Sequence, residues 1–119
     1  MTLQKCYAAM GSDFDDVLGR LRSERMVQRF TLKFLDDQSY DTMVRSMEAG
    51  DYEQAFRASH TLKGICQNLS FTRLAGSSHA LCEALRHGYT PEADALAQQV
   101  RTDYETTAAA IRAFQAEAE

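Results

Sequence analysis

Ser59-His60-Thr61-Leu62-Lys63-Gly64 places an imidazole, an ammonium group three residues on and a glycine four residues on within one short stretch. Imidazole is a nucleophile and a base near neutral pH, so it can accept a group and release it again. On a helix a lysine at i+3 shares a face with the histidine and can reach an anion attached to the ring. Glycine at i+4 removes a side chain that would obstruct a partner approaching that ring. It costs about 1 kcal/mol relative to alanine in a helix interior, so a helix that only packs has no use for it. These residues suit a carrier of a phosphoryl group better than an enzyme. A phosphoryl-transfer enzyme must position metal, nucleophile and leaving group, usually with clustered acids and a phosphate-cradling loop. The chain contains neither a glycine-rich phosphate loop nor a kinase signature.

The elements that must hold this motif read as helices with short connections. Ser12 with Asp15 resembles a capping box ahead of Phe14, Val17, Leu18 and Leu21, which suits a short helix over 13–21. Ser23 caps a second, with Val27, Phe30 and Phe34 at helical spacing, and the polar 36–39 stretch kinks or breaks it before Tyr40, Met43, Val44 and Met47 resume the stripe to Ala49. Gly50 suits a helix end and Asp51 the next N-cap. Ala55, Ser59, Leu62, Cys66 and Leu69 then form a seam over 51–69. Ser70-Phe71-Thr72 makes a tight connection to a helix over 72–87 with Leu74, Ser78, Leu81 and Leu85 as its seam, so these two helices run antiparallel. Gly88 is a natural stop, and Thr90-Pro91-Glu92 starts the longest helix, 91–117. The expected fold is all-α: an antiparallel four-helix bundle of 23–49, 51–69, 72–87 and 91–117, with a short additional N-terminal helix.

Helical phase sharpens the motif. With about 100° per residue and the 55–69 seam at zero, His60 falls near roughly 140° and Gly64 near roughly 180°, both pointing away from the core. Lys63, Phe56 and Gln67 fall between about 80° and about 120°, so the five residues form one strip. Singly, each has an ordinary explanation: a surface histidine, a good helix former, a phenylalanine tucked against a neighbouring helix. Together they make a small docking surface with an apolar anchor at Phe56 and an amide at Gln67.

Bulk properties narrow the setting. At 119 residues and 45% hydrophobic content the chain suits one domain, 1–119, and a single proline with no tryptophan favours helix over sheet. A net charge of −4 argues against a nucleic-acid partner or an anionic membrane surface. Cys6, Cys66 and Cys82 are odd in number without C-x-x-C spacing, which reads as free, mostly buried thiols in a reducing cytoplasm. No apolar run suits a signal sequence or a membrane span, so a cytoplasmic protein is expected, and a monomer, since every seam can be buried within the bundle.

The stretch HTLKGICQNLSFTRL over 60–74 resembles the histidine-containing phosphotransfer (HPt) domain of multistep two-component signalling, whose signature is His-x-Leu-Lys-Gly on a bundle helix. Phe30, Phe34, Leu35, Met43, Met47, Gly50 and Asp51 upstream, and Leu74, Ala75, Leu81 and Arg86 downstream, extend the resemblance over roughly residues 12–115. The resemblance implies that His60 is the phosphorylated residue and exchanges phosphate with the aspartate of a response-regulator receiver domain, in a relay fed by a hybrid sensor histidine kinase. It implies that Lys63 contacts the phosphoryl oxygens, that Gly64 leaves room for the receiver, and that Arg86 lies near the phosphate. No cofactor is expected on this chain, magnesium belonging to the partner receiver, and no autonomous kinase activity. Two positions depart from the family pattern. Ser70 stands where glycine is common, and Cys82 where an acidic residue is frequent.

Two other readings compete. A metal or haem site would draw on His60, His79, Cys82 or His87, of which His79 and Cys82 have i, i+3 ligand spacing. The predicted outward direction of His60 and the place of His87 at a helix end oppose it. A docking-only HPt-like module would regulate a kinase or receiver without carrying phosphate, but such a surface has no need of His60, Lys63 and Gly64 together. A start at Met1 with little tail favours a free-standing shuttle over a domain of a hybrid kinase.

Overall fold

The computed structural model describes residues 1–118, and every regular element among them is helical. In chain order they are α1 (Leu3–Ala9), α2 (Phe14–Leu21), α3 (Glu24–Lys33), a 3-10 turn (Phe34–Asp36), α4 (Ser39–Ala49), α5 (Tyr52–Asn68), α6 (Thr72–Leu85) and α7 (Glu92–Ala118). The all-α bundle expected from the sequence is the fold. Polar side chains start several helices as anticipated: Ser23 accepts from the Met26 amide at 3.3 Å and Asp51 from the Gln54 amide at 3.2 Å. Gly50 ends α4 in the left-handed region, with φ +74°.

The N-terminal region differs from expectation in two ways. A short helix that was not expected, α1, precedes α2. Leu3, Cys6, Tyr7 and Met10 recur at helical spacing and are all buried in or beside α1, whose first turn Thr2 caps by accepting from the Lys5 amide at 3.1 Å. The cap of α2 is Asp13, not Ser12. Asp13 carries the extended backbone a cap needs and accepts from the Asp16 amide at 3.0 Å, while the Ser12 hydroxyl is buried without a partner. At the polar 36–39 stretch, where a kink or a break was expected, the chain breaks, because Asp37 is extended after the 3-10 turn and its carboxylate accepts from the Ser39 amide at 2.9 Å.

The four bundle helices are α4, α5, α6 and α7. In it α5 packs between α4 and α6, and α6 packs against α7. Tyr40 of α4 stacks on Tyr104 of α7 at 3.7 Å and 6° between ring planes, bringing those two helices together. The seam of α5 is buried as phased, with Ala55, Ser59, Leu62 and Cys66 all at 0% exposure. Small Ser59 and Ser78, also at 0%, occupy seam positions of α5 and α6 where a larger side chain would hold the two helices apart.

α1 closes one end of the bundle. Cys6 donates its thiol to the Ala110 carbonyl of α7 at 3.5 Å, and the Tyr7 ring meets Phe14 at 5.8 Å and Phe71 at 5.6 Å. The Tyr7 hydroxyl donates to the Leu69 carbonyl at 2.8 Å at the end of α5 and lies 3.1 Å from Thr31 Oγ1. Burial pushes that hydroxyl up to about 12, so it remains a neutral donor.

Candidate functional site

His60 stands exposed on the outer face of α5, beside the fully buried Ser59 and one half-turn from the fully buried Leu62. Its ring has one hydrogen-bonding neighbour among the described residues: Cys82 Sγ on α6, 4.0 Å from Nδ1. The tautomer protonated on Nδ1 uses that sulfur as acceptor and leaves the lone pair of Nε2 uncommitted. Cys82, one of the departures from the family pattern, thus occupies the place beside the imidazole. The α5–α6 hairpin explains the meeting. Cys82 follows Phe71 by as many residues as His60 precedes it, so two helices of equal rise bring both to the same height.

Phe56, one turn before His60, is half-buried, and its ring stacks with the imidazole at 6.5 Å between centroids. The Arg86 guanidinium lies over the other part of this surface, 5.5 Å from the Phe56 centroid. It forms no hydrogen bond to His60 among the described residues. It is paired instead with Glu83, Nη2 donating at 2.6 Å and Nε at 3.2 Å. That pairing holds the Glu83 carboxyl below the ordinary carboxylate range, with smaller help from His79 and Lys63. Lys63 is half-buried, and Gln67 is exposed one turn further along the strip.

Gly64 has helical backbone, and a Cβ built on it would meet nothing within 4 Å. The fold therefore gives no reason for a glycine there, whether conformational or steric. Gly19 and Gly76 are equally open, so the case for Gly64 rests on its place one turn from His60 rather than on the vacancy alone.

The structure brings Phe56, His60, Lys63, Gly64 and Gln67 together on one face and adds Arg86 from α6 through Phe56. Sequence reasoning missed Cys82 as a neighbour of the ring and Glu83 as the partner of Arg86, although hairpin arithmetic and the i, i+3 spacing carried both signals. His79 is exposed while Cys82 is buried against His60, so this i, i+3 pair does not converge. Among the described residues no group of three or more His, Cys, Asp or Glu side chains could hold a metal ion. A groove of about 700 Å³ lies on the opposite flank of α5 between Leu21, Phe30, Phe34, Ile65 and Leu69, and none of the strip residues lines it.

Fold and site together describe a helical bundle that presents the outward imidazole of His60 on a face with a lysine and an arginine. Residues 13–110 match the family model of the Hpt domain, and the chain belongs to that family. Hpt domains interact with receiver domains and kinases in the phosphorelays of two-component signalling. No curated protein and no solved structure matches the chain significantly. Among the described residues no helix is long and apolar enough to cross a membrane.

Proposed function

We propose that the chain is a phosphorelay intermediate that carries a phosphoryl group on His60 between the aspartates of response-regulator receiver domains, fed by a hybrid sensor histidine kinase. The observation that carries this reading is the exposed His60 ring with its inner nitrogen set against Cys82 and its outer nitrogen uncommitted. In the forward step the Nε2 lone pair forms an N–P bond as the P–O bond of the receiver's acyl phosphate breaks. The aspartate leaves as carboxylate, and the imidazole proton stays on Nδ1. Donation to a second receiver is the reverse. Lys63, and Arg86 once turned from Glu83, supply positive charge to the phosphoryl oxygens. Gly64 gives the receiver clearance, with Phe56 and Gln67 flanking as docking contacts. Magnesium belongs to the receiver's own acids, and this chain works as a cytoplasmic monomer without kinase activity.

The test is incubation with a phosphorylated receiver or an active hybrid kinase, followed by assay for acid-labile label on the wild type and on His60→Gln. The expected result is label on the wild type alone. Binding without label would favour a docking-only module, and label surviving in His60→Gln would remove His60 from the chemistry.

A further inference from the structure

Glu83 pairs with Arg86, one of the two cations assigned to the phosphoryl group. It makes a two-pronged pair with Arg86, at 2.6 and 3.2 Å, and both side chains are a little under half exposed. It also faces Lys63 and His79 closely enough for their charges to favour its ionised form. The paired guanidinium is parked over Phe56, whose ring adjoins His60. A phosphoryl group on Nε2 would bring about −1.5 to −2 charges to this face. Arg86 can then exchange a singly charged carboxylate for a more highly charged set of oxygens, but it must leave Glu83 to do so.

We propose that Glu83 is a positioning residue that competes with the phosphoryl group for Arg86 and so keeps the phosphohistidine labile enough to hand on. A carrier gains nothing from gripping its cargo, because stabilising the loaded state raises the barrier to the next transfer. An acid that withdraws one cation from the unloaded site, and recaptures it when the group leaves, lowers that grip without touching the imidazole. This inference rests on the carrier reading of His60.

The experiment loads the full chain with phosphoramidate, a small phosphoryl donor that needs no partner protein, and follows decay of the acid-labile label. Glu83→Gln keeps the size and removes the competing charge. It is expected to lengthen the phosphohistidine lifetime about threefold, the size expected of one half-exposed ion pair changing partners. In the Arg86→Ala background the same substitution should have little effect, an outcome that a general change in packing would not produce. The Arg86 Nε–H resonance should also move on loading in the wild type. Equal lifetimes for wild type and Glu83→Gln, or a full effect persisting in Arg86→Ala, would overturn the role of Glu83 while leaving the carrier reading intact. Absence of label on wild-type His60 would overturn the carrier reading, and the role of Glu83 with it.

Discussion

Ser70 donates its hydroxyl to Asp16 Oδ2 at 2.6 Å, tying the turn that follows the His60 helix to a short helix far back in the chain. The bond serves a strained position. Ser70 has φ +56°, and the Phe71 amide donates back to the Cys66 carbonyl at 2.9 Å while the Ser70 amide donates to the Gln67 carbonyl at 3.2 Å. This is the hydrogen-bond pattern with which helices commonly end on glycine. Arg20 completes the brace, its Nη1 donating to Ser70 Oγ and to the Gln67 and Asn68 carbonyls. Side-chain bonds from α2 thus stand where the easier residue would have relieved the backbone.

Ser70→Ala keeps the left-handed strain and loses the hydroxyl, so it should destabilise the protein by about 1–2 kcal/mol. Ser70→Gly loses the same hydroxyl but relieves the strain, and should cost about 1 kcal/mol less than alanine. Urea unfolding of the two variants checks the order, and an alanine variant as stable as glycine would refute the strain.

The bond from Ser70, and then Arg20, holds the Asp16 carboxyl below its ordinary range. A group whose folded pKa lies below its unfolded value of about 3.9 contributes stability above that value and loses it as pH falls through the folded pKa. Acid should therefore weaken the brace below about pH 4. Asp16→Asn should be less stable than wild type at pH 7, with the gap closing toward pH 3 in paired denaturation curves. A gap independent of pH would show that the carboxylate charge does not matter.

Gly64→Ala should stabilise the fold by up to about 1 kcal/mol, because the added methyl meets nothing and helix propensity rises. Gly64→Gln should fold equally well yet weaken receiver binding, measured by titration calorimetry. Unchanged binding would refute the clearance role.

Cys82→Ala removes the sulfur beside His60 Nδ1 and should shift the neutral ring toward the Nε2-protonated tautomer, visible in its 15N shifts. Acceptance of phosphoryl should slow in parallel, whereas the loss of one small buried atom should cost only about 1 kcal/mol of stability. Identical ring shifts would show that the thiol does not orient the imidazole.

Lys63→Ala should slow phosphoryl transfer and shorten the phosphohistidine lifetime with helical content unchanged by circular dichroism. A transfer rate equal to wild type would refute the role assigned to that lysine.

Local information determined a good part of this molecule. The seam through Ala55, Ser59, Leu62 and Cys66 and the outward direction of His60 and Gln67 follow from a period of about 3.6 residues, which sequence spacing carries directly. The same period runs through Leu3, Cys6, Tyr7 and Met10, over a helix of only 7 residues, where spacing alone is a weak signal. Asp13 displaced Ser12 as a cap through one residue's backbone angles, which composition does not encode.

The tertiary structure alone decided which side chains meet. Arg20 and Asp16 reach Ser70 across about fifty positions, and Cys82 reaches His60 across the α5–α6 hairpin. The His-x-Leu-Lys-Gly motif by itself determined that an imidazole, a lysine and a vacancy share an exposed face, because helical geometry is short-range. The thiol beside Nδ1 and the guanidinium over Phe56 come from the α6 side of the hairpin, and only packing brings them to this face.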